Sequence, residues 1–390
     1  MPDRRFALAC LLLGTAALAG TQPAAGLAPD RLARLTAFLD RTTAPGGYLG
    51  AVALIAREGR VLHRRAHGHR DLARQKPMGV DAIFRIRSMS KPIASAAVLM
   101  LMEEGRLGLD DPISRYLPAF ASITLDGGGK PARPIAIRHL LTHTTGLLPG
   151  PDSSSLAEHA DRVARTALAA EPGTRFGYDG VNTELASRIV ELVSGQSFDR
   201  FVQQRILDPL RMADTGFEVP PAQRHRVVEL TTMGADGRLQ RVDEGHAAGA
   251  MQKPYASGAG GLYATAGDYA RFAQMLLDGG VHEGRRLLAR KTVELMMQNH
   301  LSTLPPPAIP DNPGLGFGLG GSVLVDPAAH GRLGSIGMFG WTGSATTWFT
   351  IDPTERLVAI LLMQHLPRSV PNDLPRPYAA FQNLVYQSLM

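Results

Sequence analysis

The sequence predicts an α+β fold, with an antiparallel β-sheet flanked by helices and beside it a mostly helical lobe. At 390 residues the chain is long for one simple core, so two packed lobes are expected. Apolar runs typical of strands lie near both ends, and apolar residues at helical spacing fill most of the middle. We expect the terminal strands to share one sheet, with a functional site in the cleft between the lobes.

The sheet lobe is expected to begin with residues 26–80. From Pro29, the segment PDRLARLTAFLDRTTA has apolar residues at helical spacing and predicts a helix. The segments YLGAVALIA and VLHRRAHG are separated by REGR, which predicts a β-hairpin.

A helical lobe is expected over about residues 81–299. Its first helix, Ser90 to Gly105, is Ala-rich and apolar, so it is predicted to be buried, with Ser88 and Lys91 at its N-terminus. Residues 123–155 are rich in Gly, Pro and Thr and predict loops. Five more helices are expected, at 156–170, 182–195, 198–211, 264–277 and 288–300.

The sheet lobe is expected to resume over residues 300–390. From Leu315, the segments LGFGLGGSVLV, TTWFTIDP and LVAILLM predict strands of one sheet joined by short turns. The stretch Tyr378 to Leu389 predicts a closing helix.

Residues 1–25 have the pattern of a secretory signal peptide. An arginine pair precedes an apolar run over residues 6–19, which closes on the A-x-A cleavage site Ala17-Leu18-Ala19. The run is short for a membrane span. We therefore expect cleavage near Ala19–Ala25 and a secreted or periplasmic bacterial protein, with no stable membrane span in the mature chain. The only cysteine, Cys10, would leave with the peptide.

The composition argues against several classes of function. The net charge is +6, but no dense Lys/Arg run occurs, so no nucleic-acid partner is expected. No H-E-x-x-H or similar spacing indicates a metal, and the glycines at 127–129 do not precede a helix start, so no cofactor is expected. The G-x-S-x-G elbow is absent, which argues against an α/β-hydrolase.

The segment RIRSMSKPIA holds two serines just before one lysine. Residues three apart on a helix share a face and residues two apart do not, so Ser88 can meet Lys91 and Ser90 cannot easily do so. A serine hydroxyl needs a base to become a nucleophile, and desolvation can make a lysine such a base. The helix N-terminus offers N–H groups to an oxyanion. The alternative, a solvated lysine, is weakened by the apolar run after Lys91.

Several ordered segments make the chain resemble the serine β-lactamase and penicillin-binding superfamily. The nearest branch is the class C β-lactamase-like serine hydrolases, and the resemblance covers nearly all of the mature chain. The segments are FRIRSMSKP (84–92), LGLDDPISRYLP (107–118), IAIRHLLTHTTGL (135–147), EPGTRFGYDG (171–180), GAGGLYATAGDYARFAQMLLDGG (258–280) and GMFGWTGSATTWFTIDP (337–353). The resemblance implies a β-lactamase/penicillin-binding-like fold.

The resemblance also implies catalytic roles for matching residues. Ser88 would be the acylated nucleophile, Lys91 would assist proton transfer, and Tyr178 would act as a base or proton relay. A phenol can do so only if a nearby cation stabilises its phenolate; from the residues alone, a packed aromatic is the alternative for Tyr178. The backbone N–H groups of Ser88 and Ser344 would form the oxyanion hole. His139 and His143, in a predicted loop, match family histidines that are structural.

Two positions depart from the family pattern. Gly180 stands where the family has an asparagine, and Asn182 is nearby but out of register. Trp341 stands where the family has a lysine or histidine that binds a substrate carboxylate. The family VIII carboxylesterases are similar in carrying a tryptophan there, and the GLGFGLG stretch resembles the same branch. Trp341 and Gly343 are expected to contact substrate.

The resemblance therefore implies a serine hydrolase that cleaves small-molecule carboxylic esters through an acyl-enzyme on Ser88. The first alternative is a β-lactamase, D,D-peptidase or D-aminopeptidase of the same superfamily. The second is a non-catalytic penicillin-binding-like module, against which the set of Ser88, Lys91 and Tyr178 argues. The sequence leaves open the acyl and alcohol preference, the stereoselectivity, any cleavage of β-lactams or amides, and the oligomeric state.

Overall fold

The computed structural model describes residues 26–368 and 370–390. The predicted signal peptide lies outside the described residues. The strands of this part of the chain are β1 (Gly50–Arg57), β2 (Arg60–Gly68), β3 (Phe84–Arg85), β4 (Thr231–Met233), β5 (Leu239–Arg241), β6 (Tyr263–Ala264), β7 (Val281–His282), β8 (Arg285–Arg286), β9 (Leu315–Phe317), β10 (Ser322–Leu324), β11 (Phe339–Gly343), β12 (Thr347–Asp352), β13 (Leu357–Leu362) and β14 (His365–Leu366).

Short 3-10 turns occur between some of the α-helices, and one of them, Arg87–Met89, leads directly into the second helix. The α-helices are α1 (Pro29–Thr42), α2 (Ser90–Glu103), α3 (Ile137–Leu141), α4 (Leu156–Val163), α5 (Gly180–Ser194), α6 (Phe198–Val202), α7 (Ala266–Leu277), α8 (Arg290–Met296), α9 (Pro327–His330) and α10 (Tyr378–Tyr386).

Seven strands form one sheet in the order β2-β1-β13-β12-β11-β10-β9. All neighbouring pairs run antiparallel, and β1 from the N-terminal hairpin lies beside β13 from the C-terminal part of the chain. The predicted antiparallel sheet built from both ends of the chain is therefore confirmed.

Each face of the sheet buries its own set of side chains, because successive residues of a strand point to opposite faces. In β1, Ala53 and Ile55 face α1 and α10, where Leu39 and Phe381 complete the layer. The alternate β1 residues face α7 and belong to the main core, which continues into the helical part of the molecule. Helix α7 lies inside the segment predicted as helical lobe, yet it packs on β1, β12 and β13.

Helix α2 occupies the centre of this main core. Every residue from Ser90 to Leu101 is buried, as expected from its uniformly apolar sequence. Helix α5 packs beside α2, and α3 and α4 pack on α5. The turn before α2 is thereby held between the helical part and the sheet.

Several boundaries differ from those predicted. The helix predicted over 156–170 ends at Val163, because Leu168 leaves the helix and donates its N–H to the Thr124 carbonyl. The helix predicted over 198–211 stops at Val202 and continues as a π-helical turn, Gln203–Leu207. The helix expected from Leu288 covers only Arg290–Met296.

The segment 123–155, predicted as loops, contains the short helix α3. Short strands also occur in the segment expected to be helical, among them β3 and β6, which pair with each other. In the part of the chain that the structure describes, no helix has the length and apolar character needed to cross a bilayer.

Candidate active site

The turn Arg87–Met89 brings Ser88 to the start of α2, one turn before Lys91. The Lys91 Nζ atom donates to Ser88 Oγ over 3.1 Å and to the Ala259 carbonyl over 2.7 Å. Lys91 is only 2% exposed. The three-residue spacing thus gives the side-chain contact expected between Ser88 and Lys91, and a backbone carbonyl from a distant loop fixes the Lys91 Nζ atom.

Ser90 points away from this pair. Its hydroxyl donates to the Arg87 carbonyl over 2.7 Å and accepts from the Leu262 N–H over 3.2 Å. The side chain is fully buried. Ser90 therefore ties the turn before α2 to the loop that presents Ala259.

Tyr178 lies directly before α5, whose N-terminus is capped by Asp179 accepting from the Val181 N–H over 2.8 Å. The Lys91 Nζ atom lies 4.9 Å from the centroid of the Tyr178 ring. The phenolic oxygen accepts from Trp341 Nε1 over 2.9 Å. The structure thus brings together Ser88 and Lys91, Tyr178, and Trp341 from three separate parts of the chain.

His143 supports Tyr178 from behind. It is 1% exposed, its ring centroid lies 4.6 Å from that of Tyr178, and its Nδ1 accepts from Asn182 Nδ2 over 3.2 Å. Burial and the nearby Lys91 charge hold the pKa of His143 well below its usual value, so the ring is neutral. Asn182, the out-of-register asparagine, is itself buried and accepts from Thr145 Oγ1 over 2.6 Å. These contacts stabilise the segment that carries Tyr178.

His139 lies outside the cleft. Its Nδ1 accepts from the Ala136 N–H over 3.0 Å, which closes the first turn of α3. Burial and the neighbouring Arg138 and Arg133 charges lower the pKa of His139 to about 4. This histidine holds a turn together, in agreement with the structural role expected for it.

Strand β11 approaches the Ser88 turn very closely. On the adjacent strand β12, Thr347 Oγ1 donates to the Ile86 carbonyl over 3.1 Å. A Cβ atom built on Gly343 would lie 2.3 Å from that same carbonyl oxygen, so only glycine permits the approach. Gly343 is buried beneath the cleft, and it is Ser344 that lines the cleft beside Ser88.

The N–H groups of Ser88 and Ser344 have no hydrogen-bond acceptor in residues 26–368 and 370–390. Both residues border the same cleft. Two free backbone donors beside a serine hydroxyl are an arrangement that can stabilise an oxyanion.

Trp341 belongs to an aromatic group behind Tyr178, and it lines a neighbouring cavity instead of the cleft around Ser88. Its ring lies 4.9 Å from the Tyr178 ring and 5.0 Å from the Phe317 ring, and Phe317 lies 5.2 Å from Phe176. Trp341 therefore reaches the cleft through Tyr178, to which it donates its indole N–H.

The cleft has a volume of about 430 Å³. Besides the residues already described, its wall contains polar side chains that the sequence patterns did not single out: His159, Glu184, Gln252, Lys253 and Ser257. Gly180 and Glu184 are four residues apart on α5 and so share a face. That spacing, counted from the Tyr178 motif, is a signal that identifies Glu184 from the sequence.

A larger cavity of about 740 Å³ lies elsewhere, between α6 and the segment 213–223. It contains none of the residues around Ser88, so its size does not make it the reaction site. In the described residues no group of three or more His, Cys, Asp or Glu side chains is placed to hold a metal ion.

Comparison with known proteins agrees with this geometry. Residues 35–383 match the family model described as Beta-lactamase. The chain is 33% identical over 347 residues to an uncharacterized protein of Mycobacterium tuberculosis (strain CDC 1551 / Oshkosh), covering 82% of this chain and 86% of the relative. It is 32% identical over 364 residues to Esterase EstB of Burkholderia gladioli, covering 85% of this chain and 89% of the relative.

A solved structure extends the match to the fold. EstCE1, described as a hydrolase with promiscuous acyltransferase activity, is similar with a TM-score of 0.78 and 27% identity, covering 92% of this chain and 99% of that chain. The predicted α+β fold and the resemblance stated from the motifs are both confirmed. The chain belongs to the beta-lactamase family.

Proposed function

We propose that this protein hydrolyses carboxylic esters of small molecules through an acyl-enzyme on Ser88. The observation that carries the proposal is the contact between Lys91 Nζ and Ser88 Oγ, at 3.1 Å, beside a tyrosine that accepts from Trp341. The similarity to proteins named as an esterase and a hydrolase supports the same class of reaction.

The reaction proceeds in two halves. Ser88 Oγ attacks the ester carbonyl carbon while Lys91 and Tyr178 take the hydroxyl proton, and the N–H groups of Ser88 and Ser344 bind the oxyanion. The carbon–oxygen bond to the alcohol then breaks, and the same pair returns the proton to the departing oxygen. Water, activated by the pair, attacks the acyl-enzyme and releases the acid. Each oxyanion donor stabilises the transition state by about 2.7–4 kcal/mol.

An ester is a better substrate for this cleft than a β-lactam or a peptide C-terminus. Trp341 has one N–H donor and no charge, so it cannot pair with a substrate carboxylate. Its ring offers an apolar wall for an uncharged substrate. The position that binds an anion in the resembling β-lactamases and peptidases is therefore aromatic here.

Parallel assays test this proposal. We expect p-nitrophenyl butyrate to acylate Ser88 faster than a chromogenic cephalosporin does. Mass spectrometry of the intact protein measures the acylation by each compound. A fluorophosphonate probe should label Ser88, and Ser88→Ala should lose both labelling and ester turnover. Faster acylation by the cephalosporin would favour the β-lactamase or peptidase alternative, and an unlabelled Ser88 would favour a non-catalytic module.

The N-terminal pattern supports a further part of the proposal, export of the protein with cleavage near Ala19–Ala25. N-terminal sequencing of the protein from the periplasm or medium of an expressing bacterium tests it. An intact Met1 in that fraction would contradict it.

A further inference from the structure

One wall of the cleft carries polar side chains that the proposed reaction does not use. Glu184 and His159 line this wall and are 1% and 3% exposed. Among the described residues, neither Glu184 Oε2 nor either ring nitrogen of His159 has a hydrogen-bond partner, and Gln252 Oε1 in the same wall also lacks one. Buried polar atoms are nearly always paired, so a group of unpaired ones in a cleft indicates a place for the polar groups of a ligand.

The charges around this wall restrict the ligand. Glu184 Oε1 accepts from Ser257 Oγ over 2.6 Å and from Lys253 Nζ over 3.3 Å. Burial lowers the pKa of Lys253, but the nearby Glu184 and Tyr255 raise it by more. The pKa of Lys253 is therefore raised overall, and its side chain stays cationic. Glu184 and Lys253 already form an ion pair, so the wall offers no unpaired charge to a ligand ammonium or carboxylate.

The hydrogen-bonding capacity restricts it further. Burial lowers the pKa of His159, so its neutral ring has one N–H donor and one acceptor nitrogen. Glu184 Oε2 and Gln252 Oε1 are acceptors only. A hydroxyl group can donate to one of these atoms and accept from His159, whereas an alkyl group would leave all of them unpaired.

The position of the wall indicates which part of the substrate reaches it. The leaving alcohol must lie beside Lys91 and Tyr178, because that pair returns its proton. Helix α5 begins two residues after Tyr178, and Gly180 and Glu184 lie on one face of it.

Gly180 leaves the path along α5 open. A Cβ atom there would come within 3.3 Å of the Ala259 Cβ, on the segment that holds Lys91 Nζ. The glycine at the usual asparagine position thus leaves room between the proton-transfer pair and Glu184.

We propose that Glu184, His159 and Gln252 form a subsite for hydroxyl groups on the alcohol part of the substrate, so that esters of polyols are preferred. The inference rests on the proposed ester hydrolysis. A hydroxyl carried by the substrate can fill the subsite at a low cost in entropy, because the ester already positions it.

Matched esters test the subsite. The ratio of kcat/KM for glycerol 1-monobutyrate to that for propyl butyrate should be about tenfold or more in the unmodified enzyme, as for a site built around buried polar groups. His159→Phe removes both ring nitrogens, and it should reduce the ratio about tenfold. Glu184→Gln should also reduce it. His63→Phe, which alters a histidine on β2 outside the cleft, is the matched control and should leave the ratio unchanged.

Each contrary result has a distinct meaning. A ratio near one in the unmodified enzyme, or an unchanged ratio in His159→Phe, would overturn the subsite. The subsite would also be overturned if the enzyme preferred a hydroxyl group only in the acyl part, as measured by comparing p-nitrophenyl butyrate with p-nitrophenyl 3-hydroxybutyrate. Equal loss on both esters in Glu184→Gln would assign Glu184 to holding Ser257 instead. Turnover of p-nitrophenyl butyrate that is lost in Ser88→Ala tests the proposed function separately. If the unmodified enzyme shows this turnover and a ratio of one, only the subsite is overturned. If it shows no turnover, both the proposed function and the subsite are overturned.

Discussion

Trp341 donates its indole N–H to the phenolic oxygen of Tyr178 over 2.9 Å. The two residues lie 163 positions apart in the chain, one on β11 and one before α5. The tryptophan therefore does more than occupy the place of a cation: it supplies a donor to the oxygen that we expect to carry protons. Variants of Trp341 should act through Tyr178 as well as through substrate contact.

Replacing Trp341 by phenylalanine tests this link. Trp341→Phe keeps an aromatic wall but removes the donor, so kcat/KM for p-nitrophenyl butyrate should fall about tenfold, the value of one hydrogen bond of about 1.4 kcal/mol. Trp348→Phe is the matched control, since Trp348 packs on Phe381 on the α10 side of the sheet. It should lower the melting temperature and leave kcat/KM unchanged. An unchanged kcat/KM in Trp341→Phe would contradict the role of the bond.

Tyr178→Phe should lower turnover about 10²- to 10⁴-fold, the usual contribution of a positioned proton-transfer group. Because Tyr178 is 39% exposed, the melting temperature of the Tyr178→Phe variant should differ little from that of the unmodified protein. Tyr116→Phe should show the opposite pattern. Tyr116 lies away from the cleft, and its hydroxyl donates to Asp111 over 2.6 Å, so loss of this hydroxyl should lower stability and leave turnover unchanged. Undiminished ester hydrolysis by Tyr178→Phe would remove Tyr178 from the mechanism.

Alanine variants of the two serines before Lys91 should distinguish the reactive serine from the structural one. Ser88→Ala should abolish fluorophosphonate labelling without loss of stability. Ser90→Ala leaves the Leu262 N–H without its buried acceptor, so the free energy of unfolding should fall by about 1–3 kcal/mol. Folded Ser90→Ala should still be labelled on Ser88. Labelling that follows Ser90 instead would exchange the two roles.

Gly343→Ala should inactivate the enzyme. The added methyl group would meet the Ile86 carbonyl oxygen at 2.3 Å and Thr347 Oγ1 at 2.2 Å, and neither can move without shifting the strand or the Ser88 turn. The oxyanion donors would then separate. Gly267→Ala, whose new methyl group would have only ordinary contacts on α7, should keep full activity. Full activity of Gly343→Ala, measured with p-nitrophenyl butyrate, would show that β11 tolerates displacement.

Acid should destabilise the protein through its buried histidines. His139 has a folded-state pKa of about 4 against the usual 6.5, so below pH 6.5 the unfolded chain binds a proton that the folded chain does not. The stability from the neutral ring is complete above pH 6.5 and falls as the pH drops toward 4. Urea unfolding between pH 7 and 4 should show this decline, and His139→Gln should reduce its slope by up to about 1.4 kcal/mol per pH unit. His225→Gln, at an exposed position, is the control. An unchanged slope in His139→Gln would show that this ring does not govern the decline.

The elements predicted most accurately are those in which one physical pattern governs a long segment. The hairpin β1–β2, the buried helix α2 and the closing strands β12 and β13 were predicted because alternation or continuous apolar character is local. Errors arose where a distant partner intervened, as when Leu168 pairs with the segment at Thr124 and leaves the helix predicted over 156–170.

The sequence by itself determined the fold class, the family resemblance and the pairing of Ser88 with Lys91, because these depend on local pattern and on three-residue helical spacing. Only the tertiary structure decided that Ala259 fixes Lys91, that Ser90 anchors a loop, and that Trp341 donates to Tyr178. It also decided that Glu184 and His159 line the cleft with Ser88. The reason is that such contacts join segments far apart in the chain, and their geometry depends on how the sheet, α2 and α5 pack together.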